Sequence, residues 1–186
     1  MTSMRMFLAL VPPPKALHAV ERAIHPLRQQ RPQLRWAAPA TWHLTLVFLG
    51  NVTETQCDQL RRALPQQLAG HAPLSLAVHG AGVFPAAVER ARVLWLGVRG
   101  DTEALERLVD ALRDAAQTSD IAVQNRKYHP HLTVARSRRP TDMRGALAGL
   151  DTVAGDSWTA TEVRLLHSTL GPRGPHYRTV SSWALT

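Results

Sequence analysis

The sequence predicts an α+β protein of two similar lobes, each an antiparallel sheet with helices on its outside, joined so that the sheets form one concave cleft. Three observations carry this. The pattern His-Leu-Thr-aliphatic occurs twice, at His43-Leu44-Thr45-Leu46 and His131-Leu132-Thr133-Val134, 88 residues apart. The expected elements repeat loosely around the copies: strand, helix, motif strand, helix in the first half, and strand, helix, motif strand, short helix, strand in the second. A chain of 186 residues that is 45% hydrophobic suits one domain, or two intimately joined lobes, with a sizeable core.

Met4 to Val11 carries Met6, Phe7, Leu8, Leu10 and Val11 and reads as a buried first strand, stopped by Pro12-Pro13-Pro14. From Lys15 to Gln30, Leu17, Val20, Ile24 and Leu27 recur at helical spacing with basic residues between them; His18 and His25 take its solvent side. Gln33 to Ala37 is a short strand, and the Pro39-Ala40-Thr41 turn leads into the first motif strand, His43 to Leu49, closed by Gly50-Asn51. Trp42 reads as core, whereas Trp36 is a candidate either for core or for stacking on a base. Thr53-Glu54-Thr55-Gln56 is a capping-box pattern opening a helix to about Leu68, with Cys57 packed inside and Arg61 and Arg62 outside.

Leu74 to Val83 alternates as a strand until Gly80-Ala81-Gly82 bends the chain into a loop before Phe84-Pro85. Arg92 to Val98 forms an apolar strand around Trp95, and Asp101 caps a helix from Thr102 to about Gln117 whose Leu105, Leu108 and Leu112 face the sheet. Ile121 to Val134 brings in the second motif strand, and Pro140 to Leu150 is a short helix or turn. One long strand from Trp158 to Leu170 pairs with a closing strand from Tyr177 to Leu185 through the Gly171-Pro172-Arg173-Gly174-Pro175 hairpin connection. His71 and His79 fall at surface or turn positions, while His167, Ser168 and Tyr177 are candidates to rim the cleft.

The motifs carry the chemistry. Side chains at i and i+2 of a strand share a face about 6.6 Å apart, so each motif offers one imidazole and one hydroxyl together while its aliphatic residues enter the other layer. Two such strands facing each other across a cleft set an imidazole on either side of a bound group. With an ordinary pKa of about 6.5, one imidazole can take a proton from water while the other gives one to a leaving alkoxide. On opposite sides of a phosphate their reactive nitrogens would stand roughly 6 to 9 Å apart. The threonine hydroxyls would hold the phosphoryl oxygens. Arg136 is a further phosphate-binding candidate. Regular alternation puts it on the face opposite Thr133, so it reaches the phosphate only if the strand twists or ends first. His129 and His131 share a strand face but have no third ligand at hand, and neither a metal nor a cofactor is called for.

These residues resemble the paired HxTx motifs of the two-histidine (2H) phosphoesterase superfamily, in particular the RNA 2′,3′-cyclic phosphodiesterases once called 2′-5′ RNA ligases. The resemblance extends along nearly the whole chain through Phe7-Leu8-Ala9-Leu10, Trp36, Phe48-Leu49-Gly50, Gly82-Val83-Phe84-Pro85, Val93-Leu94-Trp95-Leu96-Gly97-Val98, Pro130, Ala135-Arg136 and Gly174-Pro175-His176-Tyr177. Tyr128 departs from it, because the family more often has Phe there. The resemblance implies a single bilobal domain spanning residues 1–186 with one HxTx motif per half and a pseudo-two-fold axis at the central cleft. It also implies hydrolysis of an RNA terminal 2′,3′-cyclic phosphate to a 2′-phosphate. In that reading His43 is the proton donor, His131 the proton acceptor, and Thr45 and Thr133 hold the phosphoryl oxygens. The alternatives are a 2′-5′ RNA ligase and a non-catalytic RNA-end binding protein; the intact His and Thr of both motifs argue against a pure binder.

A net charge of +8 and a pI near 11.1 point to a polyanionic partner, here RNA with a 2′,3′-cyclic phosphate end. Only Lys15 and Lys127 of the 22 basic residues are lysines, a usage that a GC-rich genome would also produce. The densest positive stretch is Arg126-Lys127 with Arg136, Arg138 and Arg139 around the second motif. A single Cys57 excludes an internal disulfide and a cysteine-based zinc site and fits a reducing cytoplasm. No apolar run approaches the ~20 residues of a membrane span, and no signal-peptide segment is read at the start, so a cytoplasmic monomer is expected.

Overall fold

A computed structural model describes residues 3–172 and 174–186; Arg173, part of the expected hairpin connection, lies outside the described residues. In chain order the elements are β1 (Ser3–Leu10), α1 (Pro14–Gln30), β2 (Arg35–Trp36), β3 (Leu44–Thr53), α2 (Glu54–Leu68), β4 (Leu74–Phe84), β5 (Ala91–Gly100), α3 (Thr102–Thr118), β6 (His131–Thr141), α4 (Arg144–Ala148), β7 (Trp158–Ala160), β8 (Glu162–Gly171) and β9 (Gly174–Ala184). The fold is α+β, built on an antiparallel sheet ordered β7-β4-β5-β6-β3-β1-β8-β9, with β2 added beside β6. At its centre β6 and β3 share only the Leu44–Leu132 register pair, which divides the sheet into a lobe of β7, β4, β5, β6 and β2 and a lobe of β3, β1, β8 and β9. Each lobe has a motif strand at its inner edge, and the helices cover the outside.

The lobes are not simply the two halves of the chain. β8 and β9 return to pair beside β1, whereas β7 pairs with β4 in the other lobe. This crossing explains why the single strand expected from Trp158 to Leu170 is two: the chain changes lobes at Thr161. Alternation alone carries no information about which neighbour a strand will choose.

Apolar stripes explain the helices. Leu17, Val20, Ile24 and Leu27 of α1, Leu60 and Leu64 of α2, and Leu105, Leu108 and Leu112 of α3 are all buried against the sheet. They meet Leu44, Leu46, Leu94, Leu96, Leu132 and Val134 from its strands in one core that also takes Trp42 and Cys57. Trp36 packs on this core and donates its indole N–H to the Arg31 carbonyl at 3.0 Å, so it is not a stacking platform. His18 and His25 are exposed on α1. Thr53 and Gln56 form the full capping box, the Thr53 hydroxyl accepting from the Gln56 N–H at 3.3 Å and the Gln56 side chain accepting from the Thr53 N–H at 3.0 Å. Asp101 does not cap α3: its carboxylate accepts from the Ser75 N–H at 2.8 Å, tying the helix start to β4.

Two glycines carry strands past the ends expected from the sequence. Gly50 adopts φ +71° beside a register shift and lets β3 continue to Thr53. Gly80, at φ +70°, sits in the irregularity between Val78 and Ala81, so β4 bends but stays paired through Phe84. The second motif strand begins at His131 and runs to Thr141, whereas residues 121–130 have no regular structure. Among the described residues no helix is long and apolar enough to cross a membrane.

Candidate active site

The Leu44–Leu132 pair organises the site. Both side chains are fully buried on the helix side of the sheet, so their sequence neighbours project from the opposite, cleft face. In an antiparallel ladder paired positions run in opposite directions, which sets His43 across from Thr133 and Thr45 across from His131. The four motif side chains therefore form a quartet in which each imidazole neighbours its own hydroxyl and faces the other's. The motif strands lie side by side at one pair and then separate, instead of facing each other across a gap. The histidines occupy opposite corners of the quartet, with Cα atoms roughly 8 Å apart for ordinary strand spacings.

Each imidazole is oriented in the same way. His43 Nδ1 lies 2.8 Å from the Thr41 carbonyl oxygen, and His131 Nδ1 lies 2.6 Å from the His129 carbonyl oxygen. A carbonyl only accepts, so each Nδ1 must carry the proton that is donated, leaving Nε2 to face the cleft. Aromatic rings fix the planes. Phe7 and Tyr177 flank His43 with ring centroids at 4.8 and 5.0 Å. Phe84 and Trp95 flank His131 at 5.0 and 6.1 Å. Trp95 fits because residue 82 is Gly: a Cβ there would run into the indole ring.

Both histidines are pushed below the ordinary imidazole value of 6.5, chiefly by burial. The backbone carbonyls oppose this shift. The Arg136 cation reinforces it at both rings, together with His131 at His43 and His129 at His131.

Arg136 thus does reach the site, and a bulge is the reason. Between Leu94 and Trp95 the β5–β6 register shifts by one residue, and Val134 and Ala135 are both buried in succession. The extra residue resets the alternation and returns Arg136 to the face of His131 and Thr133. The first motif does the same: the β1–β3 register shifts between Leu8 and Ala9, Leu46 and Val47 are both buried, and Phe48 returns to the cleft face. Phe48 and Arg136 therefore stand at matching positions, five residues after their histidines.

Phe48 is a cleft-face residue that the sequence pattern did not single out. It is 49% exposed, unusual for an aromatic inside an apolar strand, and the Arg5 guanidinium lies 5.0 Å from its ring centre. A signal was present, since two consecutive apolar residues follow the Thr of both motifs. Of the proposed rim residues, Tyr177 packs on His43, and Ser168 lies opposite it in the β8–β9 ladder on the same face. His167 pairs with the core residue Met6 and takes the other face. His71 is half-buried and His79 exposed, and neither joins the quartet. His129 and His131 have ring centroids 6.3 Å apart, and among the described residues no third metal-ligating side chain joins them.

Tyr128, the departure from the expected Phe, links the two motif segments. Its hydroxyl donates to the Thr45 carbonyl at 2.9 Å, at the point where the bulge disturbs the β1–β3 ladder. Burial pushes the phenol well above its usual range, so it remains a donor. Tyr128→Phe is expected to cost about 1–2 kcal/mol by leaving that carbonyl unsatisfied. Urea denaturation measures this; an unchanged midpoint would show that water replaces the hydroxyl without loss.

The chain matches the 2′-5′ RNA ligase superfamily over residues 12–172. It is 32% identical over 167 residues to the RNA 2′,3′-cyclic phosphodiesterase of Methanothermobacter thermautotrophicus, covering 85% of this chain and 86% of that one. It is 33% identical over 147 residues to the Escherichia coli protein of the same description, covering 77% and 76%. Among solved structures it is similar to TT0787 of Thermus thermophilus, with TM-score 0.78, 26% identity and 98% of both chains covered. It is likewise similar to E. coli LigT complexed with 3′-AMP, with TM-score 0.75, 27% identity and 99% of both chains covered.

Proposed function

From a chain that belongs to the 2′-5′ RNA ligase superfamily, we propose hydrolysis of the 2′,3′-cyclic phosphate at an RNA end, leaving a 2′-phosphate. The observation that carries this reading is the crossed quartet, in which two imidazoles with Nδ1 tied to backbone carbonyls present Nε2 to one small space lined by two hydroxyls. The naming of relatives as RNA 2′,3′-cyclic phosphodiesterases supports it.

The cyclic phosphate sits over the quartet. His131, neutral at Nε2, takes a proton from water as the water oxygen bonds to phosphorus. The P–O3′ bond breaks, and the doubly protonated His43 gives its Nε2 proton to the departing O3′. The product is a 2′-phosphomonoester and a free 3′-hydroxyl, with His43 neutral and His131 protonated until solvent resets both. Thr45 and Thr133 donate to the non-bridging oxygens, and Arg136 offsets their charge as it builds. Phe48 provides a flat face for the terminal base. The two imidazoles are held alike, so the direction of proton flow follows the family assignment, with His43 as donor and His131 as acceptor. The chemistry needs neither metal nor cofactor, and the protein acts as a cytoplasmic monomer.

The test is an RNA oligomer ending in a 2′,3′-cyclic phosphate, incubated with the protein in EDTA and resolved into 2′- and 3′-phosphate products. Metal-independent formation of the 2′-phosphate is expected. A 3′-phosphate product would reverse the assignment of leaving oxygen. Binding without turnover would favour an RNA-end binding module, and joined ends would favour the ligase.

A further inference from the structure

The Arg136 side chain has a second basic neighbour besides the histidines. Strand β2 pairs with β6 in the place that β3 vacates, in the register Arg35 opposite Arg136 and Trp36 opposite Ala135. Directly paired residues share a face. Ala135 is buried and Trp36 packs on the core, so Arg35 and Arg136 both project from the cleft face, and both are exposed.

Like charges directly opposite each other destabilise a sheet. Among the described residues neither Arg35 nor Arg136 has an acidic partner, although Arg61, Arg113, Arg144 and Arg164 all do. Folding alone gives no reason to set two unpaired guanidiniums side by side. An anion between them would. A guanidinium fork matches phosphate oxygens in pairs, and Arg136, whose partner Val93 is two residues from Thr133's partner Trp95, sits about 7 Å beyond Thr133 along the strand while its charge still reaches both imidazoles.

We infer that Arg35, with Arg136, forms a second phosphate subsite that takes the phosphodiester on the 5′ side of the reacting nucleotide. The preferred substrate is then an oligonucleotide end, and a mononucleotide cyclic phosphate fills only half of the site. This inference rests on the cyclic phosphodiesterase reading.

The test compares kcat/KM for a mononucleotide and a dinucleotide, each ending in a 2′,3′-cyclic phosphate, in the wild type, Arg35→Ala and Arg35→Lys. The wild type is expected to favour the dinucleotide by about 10-fold, the gain from one set of charged hydrogen bonds. Arg35→Ala should remove most of that preference and change the mononucleotide value less than about two-fold, with Arg35→Lys intermediate. The salt dependence of dinucleotide turnover should flatten by about one phosphate contact, a slope change of ~0.7. An equal loss on both substrates, or no loss on the dinucleotide, would overturn the subsite. If the wild type turns over neither substrate, the phosphodiesterase reading fails separately. The subsite is then judged by binding of the mono- and dinucleotide 2′-phosphates: selective loss of dinucleotide affinity in Arg35→Ala supports it, and equal affinities overturn it.

Discussion

Replacing His43 with alanine is expected to lower kcat on a cyclic-phosphate RNA end by about 10²-fold or more, with melting temperature and RNA affinity nearly unchanged. His131→Ala should do the same. The rings are half-buried between aromatic neighbours on the cleft face, away from the main core, so their removal leaves the fold intact. If the pair works as one proton relay, as proposed, the double variant should be little worse than either single one. Normal turnover by His43→Ala would end the mechanism.

The pH profile tests the same pair from another side. The proposed mechanism needs His43 protonated and His131 neutral. Burial and Arg136 hold both below 6.5. The acid form of His43 is therefore lost as pH rises through a value below 6.5, and the base form of His131 persists to a pH below 6.5. The maximum of kcat/KM, which reports the free enzyme, should lie on the acid side of 6.5. Arg136→Ala removes a cation that disfavours both imidazolium forms, so both limbs should move to higher pH. A maximum above 6.5 in the wild type would contradict this description of the site.

Helices and motifs were legible in the sequence because their signals are local. The spacing of Leu105, Leu108 and Leu112 defines α3 without reference to the rest of the chain, and the Thr53–Gln56 capping box fixes the start of α2. The lobe exchange after Trp158 was not legible, since partner choice depends on long-range packing. The face of Arg136 was legible only conditionally, for a sharper reason. Strand alternation is a parity rule, and one inserted residue at Val134 inverts it at Arg136. The same inversion hid Phe48, whose neighbours Val47 and Leu49 are buried core residues.

The bulges also define what the two leucines between the motif histidines and threonines must do. Leu44 and Leu132 are fully buried and form the one register pair through which β3 and β6 join the lobes. Leu44→Ala should therefore cost about 2–5 kcal/mol, from lost burial plus the cavity left behind. That is a large share of the ~5–15 kcal/mol that stabilises a typical domain. Leu44→Met, which keeps the volume, should cost less than about 1.5 kcal/mol. The catalytic consequence separates this pair from ordinary core. His43 and Thr45 flank Leu44 on the backbone, so a cavity there loosens the quartet, and kcat should fall even at temperatures where Leu44→Ala remains folded. Because the two leucines are directly paired on the buried face, Leu44→Ala and Leu132→Ala should be non-additive, with a coupling of about 0.5–3 kcal/mol. Denaturant unfolding of the single and double variants measures this. Additive losses, or a single loss below about 1 kcal/mol, would mean that the quartet does not depend on this pair.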